Sequence, residues 1–211
     1  MKRFAIAVTS IVAAAALFGC ASAPAKTDAA ADATAEAEAP KEVVVPEGEI
    51  VMLDDFEEGL FWNLDSTVPD GLDMDLTADK GVVSGDNALY FMFKETKWAI
   101  INTNQLMVTD WTGANYLAFD VFNEGTLPVE MGICLMDGNN WEWQQSPSIV
   151  IQPGQTTFVA GLTDGTFMST KDGVHNIDAP NGVENIAFLA ICVHKADETT
   201  TVYIDDVRLI K

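Results

Sequence analysis

The sequence predicts an all-β fold, a jelly-roll β-sandwich of two antiparallel sheets over residues 49–211. No long amphipathic helical pattern occurs after residue 49. Short runs rich in β-branched and aromatic residues occur instead, and clusters of Gly, Asn, Asp and Pro separate them. About ten strands at such spacing are typical of a sandwich or a jelly roll.

The strands follow from these runs and from their alternation. In YLAFDVFN, Leu117, Phe119 and Val121 share one face, and in NALYFMFK the residues Leu89, Phe91 and Phe93 do the same. Residues 184–195 are apolar on both faces, which predicts a central strand. An incompletely polar second face indicates either a shallow binding cleft or a covering loop. Strands are predicted at 49–56, 72–78, 87–94, 98–103, 116–123, 129–137, 141–145, 148–152, 156–162, 184–195 and 200–210.

Residues 1–19 have the pattern of a secretory signal. A basic start leads into an apolar run, MKRFAIAVTSIVAAAALFGC, that is too short for a stable membrane span. The end of the run, Leu17-Phe18-Gly19-Cys20, resembles a bacterial lipobox, which implies lipid attachment at Cys20. The alternative is an ordinary signal peptide cut near Ala21-Ser22-Ala23. With Ala21 after the cysteine, the resemblance implies a lipid-anchored protein of the outer membrane.

Residues 20–48 are predicted to be a disordered tether. The segment is rich in alanine, proline and acidic residues and contains no aromatic residue, so it cannot bury enough surface to fold. An Ala-rich helix is the competing interpretation, but Pro24, Pro40 and Pro46 interrupt it. Residues 49–211 then make one domain.

The charge limits the possible partners. The formal net charge is −21 at pH 7, and a surface this acidic repels phosphate backbones and anionic headgroups. Nucleic acid is therefore excluded as a partner, and membrane contact is expected through the lipid anchor only. Neutral sugars and calcium remain compatible with the charge.

Two cysteines besides Cys20 lie within apolar, strand-like runs. Cys134 and Cys192 can form a disulfide only if their strands are neighbours, with Cα atoms within about 7 Å. Buried free thiols are the equal alternative, and the sequence does not choose between them.

Four stretches carry a resemblance to a known superfamily. LDDFEEGLFWN, TDWTGANYLAFDVFNEGTLPVEM, SIVIQPGQTTFVAGL and VYIDDVRLI together resemble the galactose-binding-like jelly rolls. This superfamily includes many carbohydrate-binding modules, and the same scaffold also serves assembly factors and flagellar sheath proteins. The resemblance covers nearly all of residues 50–211. It implies the fold more strongly than it implies any one function.

The resemblance also implies a structural Ca²⁺ between the first and last strands. The matching acids are Glu57 and Asp205, and further carboxylates stand beside them in DDFEEG and YIDDV. The alternating apolar residues of this strand are at even positions up to Ile204 and at odd positions from Val207. A bulge at Asp205-Asp206 would place both halves on the same face. A solvated acidic edge is the alternative.

Carbohydrate binding has five candidate residues: Trp141, Trp143, Tyr90, Trp98 and Gln145. Tryptophan rings stack on the apolar faces of sugars while neighbouring amides bind hydroxyls. Trp141 and Trp143 share a phase with Ile149 and Ile151, which favours the core if the strand is unbroken. Pro147 cannot donate to a ladder, however, and a break there would cancel that argument.

Catalysis finds no support in the sequence. His175 and His194 are isolated from any nucleophile motif, and 32 acidic residues make some pair of carboxylates inevitable and therefore uninformative. We therefore expect a surface lipoprotein whose non-catalytic domain binds an oligo- or polysaccharide. The alternative is a structural or protein-interaction domain of the cell envelope on the same fold, without a sugar ligand.

Overall fold

The computed structural model describes residues 43–65, 71–163, 165–171 and 173–211. The predicted signal peptide, the lipid-attachment residue Cys20 and most of the predicted tether lie outside these residues. Within the described part, no helix has the length and hydropathy that a membrane span requires.

The described residues form an all-β sandwich, as the sequence predicts. Each of the eleven predicted strands is present, and three short strands, β2, β11 and β12, were not predicted because two or three residues are too few to show alternation. The strands are β1 (Ile50–Asp54), β2 (Asn63–Leu64), β3 (Asp73–Thr77), β4 (Ala88–Phe93), β5 (Ala99–Thr103), β6 (Tyr116–Asn123), β7 (Val129–Asp137), β8 (Trp143–Gln145), β9 (Ile149–Ile151), β10 (Gly154–Gly161), β11 (Phe167–Ser169), β12 (His175–Ile177), β13 (Ile186–Ala196) and β14 (Thr200–Ile210).

The strands pair into two antiparallel sheets. Sheet A has the order β10-β6-β14-β4-β3, and β1 also pairs with β14. Sheet B has the order β12-β11-β8-β7-β13-β5-β2, and β9 also pairs with β7. Strands distant in sequence are neighbours in both sheets, which is the connectivity of a jelly roll.

The inner faces of the two sheets form one apolar core. The predicted faces of β4 and β6 are confirmed, because Leu89, Phe91, Phe93, Leu117, Phe119 and Val121 are all fully buried in it. Phe119 and Phe158 lie opposite each other on β6 and β10, and their rings stack 4.5 Å apart at 9°. Such pairs stabilise a sheet beyond the area that they bury.

The predicted bulge on the last strand is present. Asp205 lies opposite Asp120 on β6 and Arg208 lies opposite Ala118, so β14 carries one extra residue. Asp206 has a φ of 50° there. The extra residue returns Val207 and Leu209 to the core side that Val202 and Ile204 occupy.

Candidate functional site

One row of residues crosses the outer face of sheet B, the face turned away from the core. Seven strands contribute one residue each, with every Cα opposite the next. Residues opposite one another in a pleated sheet point to the same face. Six inter-strand gaps of about 4.8 Å make the row about 29 Å long. From edge to edge the row contains Asn63, Asn102, Ala190, Cys134, Gln145, Met168 and Asn176.

Three aromatic rings lie over the middle of this face. Trp98, Trp143 and Phe188 are partly buried, and they pack on a cluster of small or aliphatic buried side chains. The Trp143 and Phe188 rings are 6.1 Å apart. Three of the four side chains beneath are small, so the rings rest close to the sheet, and each of the three keeps part of its surface open to solvent. We call these three rings the sheet B platform; the cluster beneath them is Ile100, Cys134, Ala190 and Cys192.

The segment around Pro147 decides where Trp143 points. Gln145 on β8 lies opposite Cys134 on β7, whereas Ile149 on β9 lies opposite Met131. Cys134 and Met131 are three residues apart on β7, whereas their partners Gln145 and Ile149 are four residues apart. The segment around Pro147 therefore has one extra residue, which interrupts the alternation of its side chains. As a result, Ile149 packs against the core while Trp143 lies on the outer face.

Trp141 is not on the strand with Trp143. It has a φ of 54°, is 60% exposed, and follows the turn that begins at Asp137. The Asp137 carboxylate accepts hydrogen bonds from the N–H groups of Asn139 and Asn140, and the Trp141 N–H donates to the Asp137 carbonyl. The positive φ ends the alternation, so β8 begins at Trp143 rather than at residue 141.

His194 stands next to the platform. Its imidazole meets the Trp98 ring edge-on at 5.0 Å, and the Gln145 amide nitrogen lies 3.4 Å from Nδ1 of the imidazole. Nε2 is buried and has no hydrogen-bond partner among the described residues. A Cβ at residue 132 would come within 2.7 Å of this Nε2, so Gly132 is what allows the imidazole to lie against β7.

Two open depressions adjoin His194. One, of about 300 Å³, is bordered by Gln145, Met168 and Asn176. The other, of about 410 Å³, is bordered by Lys97, Glu130 and Lys195 together with other charged side chains. The face thus changes from amide-lined to charged on passing His194.

A separate depression of about 400 Å³ lies among β1 and neighbouring loops. It combines Phe61 and Met107 with acidic side chains that include Asp54. Burial raises the pKa of Asp54, although the Phe56 N–H and the Trp62 Nε1 donate hydrogen bonds to its carboxylate. These bonds fix the first turn of the domain, so we assign Asp54 a structural role.

Burial of His194 gives the protein a specific pH dependence. Desolvation lowers the pKa of His194, which the Glu130 charge only partly offsets. Below about pH 6.5 the unfolded chain therefore binds more protons than the folded chain, and stability falls as pH decreases through the folded pKa of His194. We expect the urea midpoint to fall between pH 7.5 and 5.5, and to fall less in a His194→Gln variant. Equal pH dependence in both proteins would contradict this assignment.

The structure brings three of the five sequence candidates together. Trp143, Trp98 and Gln145 share the outer face of sheet B. Tyr90 lies on β4 of sheet A, where its hydroxyl donates to the Asp73 carboxylate. Tyr90 is therefore on the other sheet from the platform, and Trp141 is on a loop.

Sequence reasoning missed Phe188, His194 and the amides of Asn102 and Asn176. The available signal was the double-sided apolar pattern of residues 184–195. In that segment the core residues alternate with Phe188 and His194, which the pattern alone shows as a second face. For Asn176 no signal was available, because its strand has only three residues.

The two acids of the expected calcium site bind the same loop, residues 83–87. Glu57 Oε1 accepts the N–H groups of Asp86 and Asn87 at 2.8 and 2.7 Å, which lower the pKa of the Glu57 carboxyl. Asp205 Oδ2 accepts the N–H groups of Val83 and Ser84 at 2.7 and 3.1 Å. Among the described residues, no group of three or more His, Cys, Asp or Glu side chains is placed to hold a metal ion. Both carboxylates thus accept hydrogen bonds from backbone N–H groups of this loop.

No protein-family model matches the sequence, and no curated protein matches it. Among solved structures, the chain resembles a family 11 carbohydrate-binding module from Clostridium thermocellum, in complex with a β-1,3-1,4-mixed-linked tetrasaccharide. The TM-score is 0.57 at 18% identity, covering 78% of this chain and 97% of that chain. A non-crystalline cellulose specific family 28 module matches with a TM-score of 0.54 at 17% identity, covering 80% of this chain and 99% of that chain.

A third similar structure is an exo-β-agarase. Its TM-score is 0.56 at 16% identity, and the match covers 75% of this chain but 25% of the agarase. At these identities the likenesses establish the fold, and the jelly roll that the resemblance implies is confirmed.

Proposed function

We propose, from the premise that the chain has the jelly-roll fold of carbohydrate-binding modules, that the sheet B platform binds a neutral oligo- or polysaccharide. The observation that carries the proposal is the combination on one face of partly exposed rings with a row in which four of the seven residues are amides. Trp98, Trp143 and Phe188 supply the rings, and the row extends across seven strands. A row about 29 Å long suits a chain of several sugar units.

The chemistry of the face matches the two surfaces of a sugar ring. The apolar face of a pyranose can stack on Trp143 or Trp98, where it displaces water from the exposed part of the indole. Hydroxyl groups around the ring edge can then pair with amides such as Gln145 and Asn102, which both donate and accept hydrogen bonds. Both requirements are met on the outer face of the one sheet, between β8 and β5.

A neutral, uncleaved ligand fits the rest of the surface. The net charge of −21 disfavours anionic glycans, because their carboxylates or sulfates would be repelled. The polar residues in the row are amides, which bind hydroxyls but do not transfer protons in hydrolysis. We therefore propose a binding role without catalysis.

Retention on polysaccharides tests the proposal. The full chain is run by native gel electrophoresis through gels that contain soluble neutral polysaccharides, beginning with a mixed-linked β-glucan, and is incubated with insoluble ones. We expect retarded migration on at least one neutral polysaccharide and none on a sulfated one. An unchanged migration together with no pull-down across the panel would exclude a sugar ligand and favour an interaction domain.

We further propose that the chain is a lipoprotein anchored through acylated Cys20, with residues 20–48 as the tether to the outer membrane. The support is the sequence alone: a lipobox-like end to the apolar run and an acidic, Ala- and Pro-rich segment after it. Replacing the acylated residue, Cys20→Ser, is expected to release the protein from the membrane fraction. Unchanged membrane association of this variant would contradict the anchor.

A further inference from the structure

Two thiols meet directly beneath the sheet B platform. Cys134 on β7 and Cys192 on β13 lie on neighbouring antiparallel strands and point to the same face. Their Sγ atoms are 3.0 Å apart, and both side chains are fully buried. The two cysteines are 58 residues apart in the sequence, so only the fold brings them together.

The neighbouring residues leave the path between the sulfur atoms open. The two cysteines are offset diagonally, since Cys134 lies opposite Ala190 and Cys192 lies opposite Gly132. Ala190 has a single side-chain carbon and Gly132 has none, so no bulky side chain from these two positions stands between the sulfurs. A bond length of about 2.05 Å would require the two Sγ atoms to approach by about 1 Å.

We propose that Cys134 and Cys192 form a disulfide that joins the two central strands of sheet B under the platform. Each thiol loses one hydrogen, and the disulfide of a small-molecule or protein donor is reduced to two thiols as the Cys134–Cys192 bond forms. The reaction is an exchange through a mixed disulfide, so electrons and protons balance within the donor and the protein.

Burial decides when this exchange occurs. The folded protein encloses both sulfur atoms completely, and burial raises the pKa of Cys134, which keeps that thiol protonated and unreactive. A donor must therefore act while the strands are still assembling. Once formed, the bond is equally shielded from reductants, so the folded protein keeps the redox state in which it folded.

The full chain is denatured, reduced and refolded with either oxidised or reduced glutathione, and then alkylated under denaturing conditions. We expect the protein refolded with oxidised glutathione to be two hydrogens lighter and to take up no alkyl group at Cys134 or Cys192. It should melt at a higher temperature than the reduced form, because the cross-link restricts the unfolded chain. Reductant added after folding should leave the bond intact until denaturant is also added.

A Cys134→Ala/Cys192→Ala double variant is the matched control. It keeps an apolar floor under the platform, and its melting temperature should be the same from both refolding buffers. Alkylation of both cysteines after oxidative refolding, or a glutathione adduct on either one, would overturn the proposal. Mass and alkylation are read without a glycan, so a failure of sugar binding leaves this result unaffected.

Discussion

Replacing Trp143 with alanine is expected to weaken polysaccharide retention about tenfold or more. Trp143 lies on the outer face of sheet B beside Phe188, and its indole provides much of the flat surface that a sugar ring would cover. An aromatic stacking contact contributes about 0.5–1.5 kcal/mol beyond the area that it buries, and the lost burial of the indole adds to this. About 1.4 kcal/mol corresponds to a tenfold change in affinity. Affinity electrophoresis at several polysaccharide concentrations measures the change directly.

A Tyr90→Ala variant is the matched control for this experiment. Tyr90 is also a partly exposed aromatic residue on a strand, but it lies on sheet A, on the other side of the sandwich. Its retention should equal that of the wild type, whereas Trp98→Ala should weaken retention as Trp143→Ala does. If Trp143→Ala binds as tightly as the wild type, the platform is not the binding surface. A larger loss in Tyr90→Ala than in Trp143→Ala would move the site to sheet A.

The sequence predicted the strands because alternation records which side chains share a face. It could not say which of two apolar faces is the inner one. Trp98 illustrates the limit: it is two residues from the apolar Ile100, a spacing that favours the core, yet both lie on the outer face of sheet B. The second sheet decides which face becomes the core, and that sheet is assembled from strands distant in sequence.

Trp141 and Trp143 illustrate a second limit. The sequence identified Pro147 as the residue that decides the phase, and the register shift around it places Trp143 outside the core. The spacing of the two tryptophans suggested one strand face, but the turn from Asp137 gives Trp141 a positive φ. Local hydrogen bonds of this kind are absent from a pattern of apolar and polar residues.

Asp205 is a buried acid that holds the loop at residues 83–87 by hydrogen bonds. Its carboxylate is fully buried and accepts three backbone N–H groups, from Val83, Ser84 and Asp206. Burial raises the pKa of Asp205, and these hydrogen bonds oppose the rise because they favour the charged form. The carboxylate therefore joins the bulge of β14 to the loop that Glu57 holds from its other end.

We expect Asp205→Ala to destabilise the fold by about 1–3 kcal/mol or more, because it leaves these N–H donors without an acceptor. For a chain of this size each kcal/mol lowers the melting temperature by about 2–4 °C. Calorimetry measures the shift. Ser84→Ala is the matched control, since it keeps the Ser84 N–H and removes only the exposed hydroxyl bond to Asp206, so its effect should stay within about 0.5 kcal/mol.

The wild type and the Asp205→Ala variant also test the predicted calcium site. If Glu57 and Asp205 hold a structural Ca²⁺, a chelator should lower the melting temperature of the wild type. It should leave the melting temperature of the already weakened Asp205→Ala variant unchanged. If chelation changes neither protein while Asp205→Ala still melts early, the N–H groups of the loop are the partners of this carboxylate. In that case the acidic pair that the resemblance assigns to a metal serves instead to hold a loop through its backbone N–H groups.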